Sequence, residues 1–144
     1  MIVAERTFVL GPTADSAKAL LGLLPSTPKE QAHVQELGDF LCRDESLGDV
    51  KLLAKVRDSL PADWARAVVI VPGKMQAYIA FAFMAVQDPS SDYVVQMQAA
   101  CRKRHQAFTD AVGILSPHKR TWFTKNIMNP VTCRPGKYGL PEAY

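Results

Sequence analysis

The sequence of 144 residues lacks the motifs that mark most enzymes. It contains no GxSxG, GxGxxG, P-loop or HExxH pattern, and the spacing of its three histidines favours no catalytic pair. Its three cysteines form no CxxC pair, which argues against a disulfide framework and favours a reducing, cytoplasmic location. We therefore expect a non-enzymatic protein without a cofactor, and keep a small enzyme as an alternative.

A long apolar run is also missing. The most hydrophobic window, residues 67–86, is interrupted by Pro72-Gly73-Lys74. This leaves about a dozen continuous apolar residues, against the ~20 that a bilayer crossing needs. The first residues, with Glu5 and Arg6 close to Met1, do not resemble an export signal. We expect the window to be core and expect no membrane partner.

The composition fits a folded protein with one core. Hydrophobic residues make up 48% of the chain, charged residues 22% and aromatic residues 8%. These values are typical of a soluble globular domain and exclude a disordered or collagen-like chain. We predict a single globular domain over residues 1–130, followed by an irregular basic tail over residues 131–144, where prolines and glycines recur.

Helix-capping residues followed by apolar residues at helical spacing, which form an apolar stripe along one helix face, predict a mainly helical fold. Thr13 caps a helix over residues 14–24, and Thr27-Pro28-Lys29-Glu30 combines the capping residues of a second helix. We expect a compact bundle of five or six helices around residues 75–86. Apolar residues at helical spacing predict the remaining helices at 47–60, 75–86, 92–115 and 117–128.

One segment predicts a minor β component. Residues 2–10 are rich in β-branched and aromatic side chains, and four apolar residues lie at alternate, even-numbered positions: Ile2, Ala4, Phe8 and Leu10. This pattern predicts a short N-terminal strand that stops at Gly11. Residues 67–71 fit either a strand paired with it or part of a helix, and periodicity does not decide between the two.

The charge is concentrated at one end of the chain. Residues 1–100 hold 9 basic and 12 acidic side chains, whereas residues 101–144 hold 8 basic and 2 acidic, a net charge of +6. Cations interleaved with aromatic rings suit phosphates and exposed bases. The sequence therefore predicts a nucleic-acid-binding surface, for a single strand or the phosphate backbone, formed by Arg102, Lys103, Lys119, Arg120, Trp122, Lys125, Arg134 and Lys137.

Two other interpretations of this basic third stay open. In one, the cations mark the solvated face of helices and Trp122 is buried. In the other, the protein is an assembly subunit or an inhibitor that binds an acidic protein surface. Self-assembly is one form of this second interpretation: the basic third of one copy contacts the acidic residues 30–63 of a neighbouring copy.

A zinc site is the alternative that we weigh for the cysteines. Cys101 and His105 are four residues apart on a predicted helix, and His118 with Cys133 would complete a set of four ligands. The spacing C-x3-H-x12-H-x14-C is not that of a standard zinc finger. Because Cys101 and His105 lie on the predicted apolar stripe, we interpret both as buried core residues and expect no metal.

Overall fold

The computed structural model describes residues 2–27, 29–30, 50–86, 92–128 and 133. These residues form helices and no strand, which confirms a mainly helical bundle. A short 3₁₀ helix over Pro72–Lys74 separates the third and fourth α-helices. In chain order the α-helices are α1 Ile2–Leu10, α2 Ala14–Leu21, α3 Val50–Ile70, α4 Met75–Ala85, α5 Asp92–Lys103, α6 His105–Gly113 and α7 Pro117–Asn126.

The predicted N-terminal strand is wrong, because residues 2–10 form α1. Its buried side chains are Glu5 and Phe8, three residues apart, whereas Val3 and Leu10 are exposed. This is the spacing of one helix face. The alternation of apolar residues was misleading because the inward face includes a charged residue, which a polarity pattern assigns to the surface.

The capping prediction for α2 is confirmed. The Ser16 N–H donates to Thr13 Oγ1 at 3.2 Å, and the Thr13 N–H donates to Ser16 Oγ at 2.9 Å. At the next predicted helix start, the Glu30 N–H donates to Thr27 Oγ1 at 3.2 Å. The Glu30 carboxylate accepts from the Ser26 N–H at 2.8 Å, one residue earlier than predicted. The rest of that helix lies outside the described residues.

Helix α3 continues through Pro61, where the sequence predicts an end. A proline inside a helix removes one backbone hydrogen bond and costs stability. Packing of the following turns outweighs that cost, because Trp64, Ala67 and Val68 are buried and the Trp64 Nε1–H donates to the Leu20 carbonyl at 3.2 Å. Residues 67–70 are consequently helical, and the suggested strand pairing at 67–71 is also wrong.

Helix α4 lies at the centre of the core, as predicted. Tyr78 and Ile79 are fully buried, and the Phe81 ring packs edge-on against Trp64 and Tyr93 at centroid distances of 4.8 and 5.4 Å. Among the described residues, no single helix is both long and apolar enough to cross a membrane. One bent pair, Asp58–Ile70 with Pro72–Ala85 at 119°, meets the length and composition criteria only when taken together.

The long helix predicted over residues 92–115 is broken at Arg104. The backbone there has φ −133° and ψ 58°, and α6 begins at the next residue. The Arg104 Nε–H donates to the Val69 carbonyl at 2.7 Å and so satisfies one of the last carbonyls of α3. The predicted stripe stays buried at Cys101 and Phe108, but the break leaves His105 exposed, contrary to the prediction.

Candidate functional site

Four of the predicted binding residues are exposed cations at two helix ends. Arg102 and Lys103 are the last residues of α5, and Lys119 and Arg120 lie in the first turn of α7. We call these four residues the exposed cation set. Within the part of the chain that the structure describes, no carboxylate forms an ion pair with any of them. Their charges are therefore directed to solvent.

The two pairs differ in their relation to the helix dipole. Arg102 and Lys103 lie at a helix C-terminus, where a positive charge stabilises the helix. Lys119 and Arg120 lie at a helix N-terminus that has no acidic residue in its first turn. There the dipole opposes them. The helix dipole therefore gives no reason for cations at positions 119 and 120.

Trp122 is not available for stacking, so its predicted role in the binding surface is wrong. The side chain is 7% exposed. Its ring packs edge-on against Phe83 and Phe123, with both centroid distances at 5.0 Å. Helix α7 turns Trp122 and Phe123 toward the core, so rings that alternate with cations in the sequence lie on the opposite side in space. Any binding by this region rests on charge.

The remaining predicted cations are Lys125, Arg134 and Lys137, and the structure describes only the first of them. Lys125 is exposed in the last turn of α7. Arg134 and Lys137 lie outside the described residues.

Lys119 has a defined position, because its ammonium lies 5.3 Å from the centroid of the Phe83 ring. Such a cation–π contact orients the lysine side chain without neutralising its charge.

A shallow groove of about 240 Å³ lies between α1, α3 and the end of α5. Its floor is mostly apolar, and the guanidinium of Arg66 and the side chain of Lys103 belong to its lining. Val9 and Ile70, which also line it, are 36% and 38% exposed. The groove therefore offers an apolar surface beside two cations.

A second cluster joins two cysteines and a histidine. Cys101, in the last turn of α5, forms a disulfide with Cys133, with the Cα atoms 5.7 Å apart. His105 is the first residue of α6, and its Nδ1 lies 3.2 Å from Cys133 Sγ and 3.8 Å from Cys101 Sγ. His118 is exposed on α7 and does not belong to this cluster. The cysteine pattern of the sequence argues against a disulfide framework and does not predict this bond.

A group of four charged residues joins α1 to α3, and we call it the charge clasp. Glu5 is fully buried, and its two carboxylate oxygens accept from Arg6 Nε at 2.6 Å and Nη2 at 2.7 Å. Asp63 is 1% exposed and accepts from Arg66 through Oδ1. Arg66 also lies over the Phe8 ring, 5.9 Å from its centroid. The clasp compensates two buried carboxylates with two arginines.

The pKa values of the two carboxyl groups in the clasp are shifted in opposite directions. Burial and the neighbouring Glu5 carboxylate raise the pKa of Asp63 to about 6. The hydrogen bonds from Arg6 and Asp63 outweigh burial and lower the pKa of Glu5. Asp63 Oδ2 faces no donor among the described residues. When that oxygen is protonated, Asp63 can donate a hydrogen bond to the Glu5 carboxylate. The pair is therefore most stable when Asp63 is protonated and Glu5 is ionised.

The clasp cannot be recognised in the sequence. Glu5 and Asp63 lie 58 positions apart and each resembles an ordinary surface acid in its own helix. Comparisons of the chain with protein-family models, with curated proteins and with solved structures find no match.

Proposed function

We propose that this protein is a non-enzymatic binding protein that holds the phosphate backbone of nucleic acid through the exposed cation set. The observation that carries the proposal is the pair Lys119 and Arg120. Both are exposed at the N-terminus of α7, without a described carboxylate partner and against the helix dipole. Cations that the helix dipole opposes are expected where a ligand compensates them.

The mechanism is the release of counterions. Each lysine or arginine that neutralises a phosphate frees a condensed cation, and this makes the affinity strongly dependent on salt. Such contacts position a ligand without reading its bases. Because Trp122 is buried, no stacking contribution from that ring is expected. We therefore expect binding to tolerate changes of sequence and to include both single strands and duplexes.

A titration with labelled oligonucleotides tests this proposal. Fluorescence anisotropy at low salt should show binding by the wild-type protein. It should show at least about tenfold weaker binding by the double variant Lys119→Glu/Arg120→Glu, because reversal replaces two attractions with two repulsions. The loss should be equal for unrelated sequences. Absence of binding to both a single strand and a duplex would remove the proposal.

The matched control reverses two cations elsewhere. Lys18 on α2 and Lys74 in the 3₁₀ helix are exposed and lie outside the exposed cation set. The variant Lys18→Glu/Lys74→Glu changes the net charge by the same amount. It should retain most of the affinity, whereas an equal loss in both double variants would mean that only net charge matters.

A second candidate function, self-assembly, is favoured by the groove between α1, α3 and α5. Its apolar floor and the cations Arg66 and Lys103 suit a segment that carries both apolar and acidic side chains. Residues 31–49 of this chain hold five acidic residues and one basic residue, interspersed with apolar ones. A second copy of the chain could thus supply the occupant in a head-to-tail arrangement.

Sedimentation at increasing protein concentration tests the assembly candidate. Wild-type protein should form larger species, and Ile70→Asp should shift it to the monomer by placing a charge in the groove. Val95→Asp is the control, since Val95 is 55% exposed on α5 and does not line the groove. A monomer at all concentrations would exclude this candidate without affecting the nucleic-acid proposal.

A further inference from the structure

The cluster of Cys101, Cys133 and His105 has the composition of a metal site as well as that of a disulfide. Two thiolates and one imidazole are ligands that zinc prefers. Their ligand atoms lie within 4.8 Å of one another, although Cys133 is 32 residues away from Cys101 in the sequence. The imidazole of His105 is exposed to solvent beside the two buried sulfurs.

The distances from the imidazole are close to those of a tetrahedral site. With Zn–S bonds of about 2.3 Å and Zn–N bonds of about 2.0 Å, neighbouring ligand atoms are about 3.5–3.8 Å apart. His105 Nδ1 lies 3.2 Å from Cys133 Sγ and 3.8 Å from Cys101 Sγ. Once the disulfide is reduced, the two sulfurs have only to separate to a similar distance.

We propose that reduction of the Cys101–Cys133 disulfide converts this cluster into a Zn²⁺ site with His105 as the third ligand. Two molecules of a small thiol reduce the bond through a mixed disulfide, giving two protein thiols and one oxidised disulfide of the reductant. Zn²⁺ then binds both sulfurs as thiolates and releases two protons to water. The imidazole binds in its neutral form through Nδ1.

The site has three protein ligands and leaves one position for water or an outside ligand. His118, which would complete a closed set of four, does not join the cluster. Structural zinc sites are closed, whereas sites that exchange a ligand keep an open position. We therefore expect the zinc to be removable by a chelator, and expect the disulfide and the metal to exclude each other at the same two sulfurs.

Metal titration of the full-length chain under anaerobic conditions tests the inference. Protein reduced with a phosphine should bind one Zn²⁺ per chain. Co²⁺ used as a probe should give the absorption of thiolate-to-metal charge transfer. Protein that keeps the disulfide should bind neither ion. Reduced protein without stoichiometric metal, or equal binding by the oxidised form, would overturn the proposal.

Three variants identify the ligands. Cys133→Ser should abolish binding, and Cys42→Ser, which removes the remaining cysteine, should leave the stoichiometry at one. His105→Gln should weaken zinc binding by at least about tenfold. Because His105 is exposed, this variant is expected to fold, and circular dichroism checks that it does. Unchanged affinity in His105→Gln would overturn the role of the imidazole, and loss of metal in Cys42→Ser would overturn the site.

Discussion

The charge clasp and the exposed cation set differ in how their charges are compensated. In the clasp, the carboxylates of Glu5 and Asp63 are buried and each is paired with an arginine. In the exposed cation set, four cations face solvent and no described carboxylate pairs with them. One group is part of the contact between two helices, whereas the packing described for the other is the contact of the Lys119 ammonium with the Phe83 ring.

The difference separates charges that hold the fold from charges that are available to a ligand. A buried carboxylate that loses its partner is strongly destabilising, because the remaining charge is left desolvated. An exposed cation that is removed changes stability little. Variants in the clasp should therefore alter unfolding, and variants in the exposed cation set should alter binding.

The largest effect is expected from reversing a clasp charge. Glu5→Lys places a third cation beside Arg6 and Arg66 at a fully buried position. We expect it to lower the free energy of unfolding by more than about 3 kcal/mol in urea denaturation. Asp15→Lys, which reverses an exposed acid in the first turn of α2, should cost about 1 kcal/mol or less. Similar losses in both variants would contradict the assignment of the clasp.

The clasp also predicts how stability depends on pH. Because the pKa of Asp63 is raised to about 6 from 3.8, the folded protein keeps a proton that the unfolded chain releases between those values. The stability that Asp63 contributes therefore falls as the pH rises from about 4 to 6. Glu5, with its pKa lowered from 4.5, acts in the opposite sense: its contribution is present above 4.5 and is lost at lower pH.

The variant Asp63→Asn isolates this behaviour. Its amide can donate to Glu5 as a protonated carboxyl does, at every pH. Urea denaturation between pH 4 and 7 should show that the fall in stability attributed to Asp63 is absent in the variant. A profile that still falls over that range as steeply as the wild-type profile would show that another group is responsible.

Neutralising the cations of α7 should have a small effect on the fold. Lys119→Gln/Arg120→Gln removes two positive charges from a helix N-terminus, where the dipole opposes them. We expect the free energy of unfolding to stay within about 0.5 kcal/mol of wild type. A loss of more than about 1 kcal/mol would mean that these residues have a structural role.

Tryptophan fluorescence should change least. Trp64 is 1% exposed and Trp122 is 7% exposed, so neither ring can stack on a base without unpacking the core. Addition of an oligonucleotide should leave the emission wavelength and intensity unchanged. Acrylamide quenching provides the control, because both rings should be shielded in folded protein and accessible in urea. Quenching by the oligonucleotide would restore a stacking role for Trp122.

Local sequence signals predicted the parts of the fold that depend on neighbouring residues. The cap at Thr13, the interruption at Pro72-Gly73-Lys74 and the apolar face of residues 75–86 all depend on residues within one or two turns. The failures at residues 2–10 and at Pro61 have one cause. There, contacts with residues far along the chain, such as Trp64 with Leu20, decide the outcome against local propensity.

The candidate sites were predictable to different degrees. The exposed cations could be found from charge counting alone, because exposure is the ordinary state of lysine and arginine. The burial of Trp122 depends on which side of α7 meets Phe83, which spacing does not reveal. The cluster of Cys101 and Cys133 depends on the chain returning to α5 after 32 residues, and no local pattern records that return.

The salt dependence of affinity tests the central claim most directly. If all four exposed cations contact phosphates of a duplex, the slope of log affinity against log salt should be about −3.6, at ~0.9 per contact. Lys119→Gln/Arg120→Gln should reduce its magnitude by about 1.8 while the protein remains folded. An unchanged slope in this variant, or an affinity that does not depend on salt, would contradict binding through these cations.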